Sequence, residues 1–177
     1  MSKICKIKDI LIGDGIPKVC VSVVSDNHQA IITDIIRLMD YDIDIIELRI
    51  DYFKELLNQQ KLKELFKMIA TLEMKQALIL TYRSVKEGGL GELSNEEYIN
   101  LYKIALESGA FDVYDVELSS GTNAIITLNN MIHEADRKVI MSSHDFTRTP
   151  SLDTMLKKIK QMDSLEADII KLAVMPE

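Results

Sequence analysis

Short apolar runs alternate along this chain with segments of helical period, and polar side chains lie at the ends of several runs. The alternation predicts an α/β protein with a parallel sheet. The polar run ends favour a (β/α)8 barrel of the TIM type, whose functional groups lie at the C-terminal ends of its strands. About six strands are visible, so we predict an incomplete barrel with an N-terminal β-hairpin. The length suits one domain, which we expect to cover residues 1–177.

The hairpin is predicted from the first apolar segments of the chain. Residues 10–12 are followed by Gly13-Asp14-Gly15 and then by the extended, largely apolar residues 17–24. A glycine-rich turn between two extended runs is typical of a β-hairpin. We therefore expect these two runs to pair with each other.

Six apolar runs predict the strands of the barrel. Each run is short, and the segments between runs carry the helical period that βαβ units require. The runs cover residues 19–24, 43–50, 77–82, 111–118, 139–143 and 169–174.

Apolar residues at the spacing i, i+3, i+4, i+7 predict helices between the strands. Ser94 with Glu97 three residues later predicts a capping box, and Gly109 predicts the end of that helix. Ser151 predicts a further N-cap. The helix faces expected to be buried contain Ile31, Ile35 and Leu38; Leu62, Leu65, Phe66 and Ile69; Tyr98, Leu101, Tyr102 and Ala105; and Leu152, Met155, Leu156 and Ile159.

An open doubly wound sheet is the alternative to a barrel. Such a sheet usually carries a glycine-rich phosphate loop after its first strand, whereas residues 23–27 contain no glycine. Its strands also read as nearly continuous apolar sequence, because helices cover both faces. Here Glu47 and Arg49 share one face of a run by period two, and so do Asp115 and Glu117. These polar faces favour the barrel.

The sixth run lies close to the last residues, Met175-Pro176-Glu177. A complete barrel has eight strand–helix units in about 250 residues. We therefore expect either a fragment of a longer barrel or an open partial barrel with two unpaired edges, which favour association.

The composition restricts the class of partner. The net charge is −7, with acidic and basic residues interleaved, which argues against nucleic acid and membrane surfaces. A small anionic substrate stays compatible, because a few arginines can hold a carboxylate. No apolar run approaches the ~20 residues of a membrane span, and the N-terminus lacks a signal-peptide pattern. We expect a soluble, cytoplasmic protein with reduced Cys5 and Cys20 and no metal site.

Lys171 lies inside the apolar run of residues 169–174. Burying an ammonium in apolar surroundings is costly, so such an amine tends to be neutral. A neutral lysine amine attacks carbonyl groups to form Schiff bases. A lysine whose amine reaches solvent beyond the strand end is an equally weighted alternative.

Three further polar residues lie at predicted strand ends. His144 follows the fifth run, and histidine is well suited to proton transfer near neutral pH. Arg83 leaves the third run on the face of Thr81, and Glu87 follows where it can reach back over the barrel mouth. A structural histidine and a flexible charged loop are the alternatives. Their joint placement at strand ends favours a functional site.

Four motifs resemble the type I 3-dehydroquinate dehydratases. They occur in the family's order and spacing, and the resemblance extends over the whole chain. The motifs are Ile46-Glu47-Leu48-Arg49-Ile50-Asp51, Thr81-Tyr82-Arg83-Ser84-Val85-Lys86-Glu87-Gly88-Gly89, Ser142-Ser143-His144-Asp145-Phe146, and Ala167-Asp168-Ile169-Ile170-Lys171-Leu172-Ala173-Val174-Met175-Pro176.

The resemblance implies a (β/α)8 barrel, usually a homodimer, in the shikimate pathway to aromatic amino acids. Its members convert 3-dehydroquinate to 3-dehydroshikimate and water without a metal or organic cofactor. By position it implies Lys171 as the Schiff-base amine, His144 as the proton-transfer residue and Glu87 as the partner of His144. It implies substrate contacts from Ser22, Glu47, Arg49 and Arg83, with Asp115 and Glu117 as either supporting or merely interior polar residues.

The family takes an arginine for the substrate carboxylate, and a serine and glutamine on a closing loop, from the seventh and eighth units. These units lie beyond this sequence, so we expect the 177-residue chain to be weakly active or inactive and a longer parent to be a competent lyase. A structural or interaction role for an inactive partial barrel is the alternative. A barrel aldolase with another substrate is a third possibility, which the four motifs disfavour.

Overall fold

The computed structural model describes residues 4–176. They form a six-stranded parallel sheet, covered on its outer face by five helices, and a separate antiparallel hairpin. The barrel strands are β3 (Cys20–Val23), β4 (Ile45–Arg49), β5 (Ala77–Thr81), β6 (Val113–Glu117), β7 (Lys138–Asp145) and β8 (Ile169–Val174). The helices are α1 (His28–Met39), α2 (Gln59–Ala70), α3 (Asn95–Ser108), α4 (Thr122–Glu134) and α5 (Leu152–Ser164).

The order of the strands distinguishes the two predicted architectures. Each barrel strand pairs in parallel with the next one along the chain, from β3 to β8. A doubly wound sheet reverses its strand order at a switch point, and this sheet does not. It curls into a half-barrel with its helices outside, so the prediction of an incomplete barrel is confirmed.

The predicted hairpin pairing was wrong, although a hairpin is present. Strand β1 (Cys5–Ile7) pairs with β2 (Ile10–Ile12), and the tight turn between them is Lys8-Asp9. The glycine-rich segment 13–15 instead connects the hairpin to β3, which pairs with β4. Lys8 adopts a positive φ of 51° without the glycine or asparagine that usually marks such a turn.

The hairpin covers the N-terminal end of the barrel strands. Cys5 and Ile7 pack in one apolar cluster with Ile45, Ile79 and other residues near the starts of the strands. The Lys8 ammonium donates to the Gln76 carbonyl oxygen over 2.8 Å and lies 3.1 Å from Asp112 Oδ2. This end of the barrel is therefore closed by apolar contacts and one cation.

The main core lies between the sheet and the helices, and most predicted helix features are confirmed. The Ser94–Glu97 capping box forms, Gly109 ends α3 at a φ of 68°, and Ser151 caps α5. The predicted buried face of α5 differs, because Leu152 and its neighbours are largely exposed and only Met162 is buried. That face is bordered by the edge strand β8, and no described helix packs beyond it.

The prediction of one domain over residues 1–177 includes residues 1–3 and 177, which lie outside the described part of the chain. Within residues 4–176, none of the helices has the length and apolar character needed to cross a bilayer.

Candidate active site

Alternate residues of the barrel strands point polar side chains to the inside of the half-barrel. The carboxylate of Glu47 on β4 is 9% exposed and accepts hydrogen bonds from Ser22 on β3 and, over 2.8 Å, from Thr81 on β5. Burial opposes ionisation of Glu47, but these hydroxyl groups and the nearby charge of Lys171 lower its pKa below the ordinary value. The structure therefore brings Ser22 and Glu47 together.

Arg83, just past the end of β5, is 4% exposed and lies at the centre of the polar side chains inside the half-barrel. Its Nη1 donates to Glu117 Oε1 and to Ser142 Oγ, both over 2.9 Å, and its Nη2 donates to Asp115 Oδ2 over 2.8 Å. Burial alone would lower the pKa of Arg83, but the surrounding carboxylates raise it, so it remains a cation. Most of its guanidinium is thus occupied by protein acceptors.

Lys171 lies on the edge strand β8, in register with Ser142 on β7. Its Nζ is 3.8 Å from Glu47 Oε1 and 3.9 Å from Asp115 Oδ2, and its side chain is 42% exposed. Of the two alternatives that the sequence left open, apolar surroundings of the amine do not agree with the structure, because the amine is partly exposed and faces two carboxylates. The apolar residues next to Lys171 in sequence point to the other side of the strand, whereas the amine enters the polar interior.

The structure also brings together His144 and Glu87, which are 57 residues apart in sequence. His144 Nδ1 lies 2.9 Å from Glu87 Oε2, and the backbone N–H of His144 donates to the same oxygen over 3.1 Å. Both side chains are buried, with 7% and 5% of their surfaces exposed. Burial opposes ionisation of Glu87, but the hydrogen bond from His144 and the charge of Arg83 lower its pKa. The Glu87 carboxylate therefore fixes the orientation of the imidazole ring.

The loop from Ser84 to Gly91 delivers Glu87 to this position. It is a compact turn, in which the Gly89 N–H donates to Ser84 O over 2.9 Å and the Gly91 N–H donates to Arg83 O over 3.0 Å. A Cβ on Gly89 would lie 2.1 Å from the Arg83 carbonyl oxygen, so the chain passes too close for any side chain. The flexible loop considered from the sequence is instead a tightly packed one.

Arg49 has a carboxylate partner that the sequence reasoning missed. Its Nε and Nη2 donate to the two oxygens of Asp51, each over 2.9 Å, and its guanidinium lies 5.1 Å from the centre of the Tyr52 ring. Burial opposes the Arg49 charge, but Asp51 raises the pKa of the guanidinium. The spacing i, i+2 was a usable signal, although Asp51 lies just past the strand, where period two no longer holds.

Fold and site together define a β/α-barrel protein with an acid–base site at the C-terminal ends of its strands. An amine, an imidazole–carboxylate pair and a layer of polar side chains surround the mouth. Within residues 4–176, no three His, Cys, Asp or Glu residues are grouped as metal ligands would be.

Comparison with known proteins identifies the family. A sequence model of the type I 3-dehydroquinase family matches residues 19–177. The chain is 37% identical over 175 residues to the 3-dehydroquinate dehydratase of Clostridium novyi (strain NT), covering 99% of this chain and 69% of that relative. The chain belongs to the type I 3-dehydroquinase family.

Solved structures agree with this assignment. A type I 3-dehydroquinate dehydratase from Clostridium difficile, solved with covalent modified comenic acid, matches with a TM-score of 0.95 and 37% identity, covering 100% of this chain and 70% of that one. The 3-dehydroquinate dehydratase of Enterococcus faecalis matches with a TM-score of 0.91 and 33% identity, covering 97% and 71%. The family is one of hydro-lyases in aromatic biosynthesis, so the enzyme interpretation is confirmed and a purely structural role is not favoured.

Proposed function

We propose that this chain carries the Schiff-base chemistry of 3-dehydroquinate dehydration, with Lys171 as the nucleophile and His144 as the proton-transfer residue. The observation that carries the proposal is their placement on neighbouring strands. Lys171 is in register with Ser142, and His144 lies two residues further along β7, on the same face and roughly 7 Å towards the mouth. A substrate bound to the amine would therefore extend towards the imidazole.

The proposed reaction begins when Lys171, as the free amine, attacks the ketone of 3-dehydroquinate to give a carbinolamine, and the proton given up by its ammonium form leaves with the carbinolamine hydroxyl as water. Loss of water gives an iminium, which acidifies the carbon next to the former ketone. His144 takes the proton from that carbon and leaves an enamine. The histidinium then protonates the departing hydroxyl group, and water hydrolyses the resulting imine. The water released when the iminium forms is balanced by the water consumed in hydrolysis. The net product is therefore the one water that leaves as the eliminated hydroxyl group.

The remaining residues would orient these two groups and the substrate. Glu87 would stabilise the imidazolium that forms during the reaction, since its carboxylate is already bonded to Nδ1. Ser22, Glu47 and Arg49 are proposed to contact the ring hydroxyl groups. Arg83 is also proposed to contact a ring hydroxyl group. Few of its N–H groups are available for that contact, because its guanidinium mainly binds protein carboxylates.

Reduction with borohydride tests the nucleophile. With 3-dehydroquinate present, we expect a mass increase confined to the peptide that contains Lys171. Lys171→Ala should abolish the adduct, whereas Lys138→Ala, at the start of β7, should retain it. His144→Ala should still form the adduct while product formation stops. An adduct of undiminished yield in the Lys171→Ala variant would refute the assignment.

We expect weak turnover by the 177-residue chain itself. The site contains five carboxylates among the described residues and only three cations beside them, which are Arg49, Arg83 and Lys171; the carboxylates are those of Glu47, Asp51, Glu87, Asp115 and Glu117. The site thus offers little surplus positive charge to a carboxylate substrate. A turnover number equal to that of the Clostridium novyi relative would contradict this expectation.

We further propose that the chain forms a single domain and acts in the cytoplasm. As the resemblance implies, we also propose a homodimer that needs no cofactor. Light scattering after size-exclusion chromatography tests the dimer, because a monomeric mass at micromolar concentration would exclude a stable one. Activity that withstands exhaustive dialysis against a chelator would support the independence from metal.

A further inference from the structure

Asp51 is a completely buried carboxylate just beyond the end of β4, and the proposed reaction gives it no part. Its side chain is 0% exposed. It accepts hydrogen bonds from four donors: Arg49 Nε and Nη2, and the backbone N–H groups of Arg83 and Leu90. These donors come from three positions of the chain: the end of β4 and the two ends of the loop that follows β5.

Two of the donors set the position of Arg49. The guanidinium and the carboxylate form a bidentate pair with both distances at 2.9 Å. Such paired, charge-assisted bonds fix the plane of the guanidinium as well as its distance. The guanidinium also lies 5.1 Å from the centre of the Tyr52 ring and is attracted by the charge of Glu47, but neither contact fixes its plane as the paired bonds do.

The other two donors set the loop that carries Glu87. The Arg83 N–H, at the start of this loop, donates to Asp51 Oδ1 over 3.3 Å. The Leu90 N–H, near its end, donates to Oδ2 over 3.2 Å. Asp51 therefore joins both ends of the turn to β4, and Glu87 lies between them, 2.9 Å from the His144 ring.

The four bonds require a carboxylate rather than another polar group. Each oxygen accepts one bond from Arg49 and one from a backbone N–H, so both lone pairs of both oxygens are used. An asparagine has a single acceptor oxygen, and its NH2 group would face two donors. The isosteric amide would thus lose one arginine bond and one loop bond together.

We propose that Asp51 is a positioning residue that holds Arg49 and the Glu87 loop in register with each other. A substrate contact and the orientation of the His144 ring are then set by one carboxylate, although Asp51 touches neither the substrate nor the imidazole. The consequence for catalysis rests on the proposed roles of Arg49, Glu87 and His144, whereas the coupling itself is a property of the fold.

Asp51→Asn tests the coupling without any need for turnover. We expect exchange of the Leu90 and Arg83 amide protons to accelerate by at least about ten-fold, which corresponds to about 1.4 kcal/mol. The pKa of Glu87, followed by carboxyl carbon NMR, should rise towards its ordinary value of 4.5. The matched control is Asp112→Asn, which removes a carboxylate that also accepts a backbone N–H and a lysine, but at the opposite end of the barrel.

Arg49→Met separates the two halves of the proposal. It should weaken binding of 3-dehydroquinate and leave the two amide exchange rates within about two-fold, because the loop bonds to Asp51 remain. Asp51→Asn should impair both properties. Should thermal unfolding show that Asp51→Asn does not fold, Asp51→Glu replaces it, since an added methylene displaces both oxygens from the same donors.

Unchanged exchange at Leu90 and Arg83 in folded Asp51→Asn, with a Glu87 titration equal to that of Asp112→Asn, would overturn the proposal. Altered exchange with no borohydride adduct on Lys171 would instead uphold the coupling and refute the proposed chemistry. The two failures are therefore distinguishable.

Discussion

Replacement of Arg83 by methionine is expected to destabilise the fold strongly and to do so in a pH-dependent way. Arg83 is the cation between the buried carboxylates of Asp115 and Glu117, which are 1% and 3% exposed. Methionine keeps an unbranched apolar chain in place of the arginine stem but leaves both charges without this partner. Removing one member of a buried ion pair costs roughly 3–5 kcal/mol, a large part of the roughly 5–15 kcal/mol that stabilises a domain.

The sign of the pH dependence follows from the charges that remain. In Arg83→Met the folded state relieves its repulsion by binding protons at the interior carboxylates, so it binds protons more readily than the unfolded chain. Stability of the variant must then fall as pH rises. We expect the deficit relative to the unchanged chain to be largest near neutral pH and to shrink in mild acid.

Urea unfolding, followed by circular dichroism between pH 5 and 8, measures this difference. Arg148→Met is the matched control, because Arg148 also faces a carboxylate but is 78% exposed, and it should change little. Adding Asp115→Asn and Glu117→Gln to Arg83→Met should recover part of the loss. A deficit that is the same at pH 5 and pH 8 would refute the reasoning, since packing alone would then explain it.

Three further predictions concern other parts of the molecule. The pKa values of Glu47 and Glu87 lie below 4.5 in the folded state, because hydrogen bonds and nearby cations outweigh burial. The contribution of these two carboxylates to stability should therefore be complete above pH 4.5 and should decline as the pH falls further. Acid unfolding monitored by circular dichroism measures this decline. Gly89→Ala should cost roughly 1–3 kcal/mol in urea titrations, because its Cβ would meet backbone atoms at 2.1 Å. Gly89 is not in the positive-φ region, so this loss reports the close approach, whereas Gly109→Ala, which meets no atom within 4 Å but has a φ of 68°, reports the cost of positive φ. Lys8→Met should lower the midpoint of thermal unfolding by a few degrees and leave borohydride labelling of the active-site lysine unchanged.

The strands of the barrel were predictable from sequence because their apolar runs are short and evenly separated. All six predicted runs contain the observed strands or lie inside them, and the caps at Ser94 and Ser151 formed as predicted. The hairpin partner was not predictable, since the Lys8-Asp9 turn lacks a residue type that marks positive φ. Judged by residue type alone, the glycine-rich segment 13–15 was the better candidate for the hairpin turn.

The candidate site was predictable in its members but not in all its contacts. Strand-end positions and the family motifs indicated His144 and Glu87, which lie side by side. The sequence left the surroundings of Lys171 open, because neighbours in sequence say nothing about residues on the adjacent strands. Asp51 was overlooked because two of its four bonds come from the backbone at Arg83 and Leu90, which only the folded chain brings close to it.

The hairpin at the base of the strands has a practical consequence for handling this protein. Its chain enters at the face opposite the mouth, beneath the apolar cluster formed with Ile45 and Ile79. A surface tether attached at the hairpin turn, for example at Asp9, would lie on that side and leave the approach to Lys171 open. Immobilisation through the hairpin is thus compatible with kinetic binding measurements on small molecules.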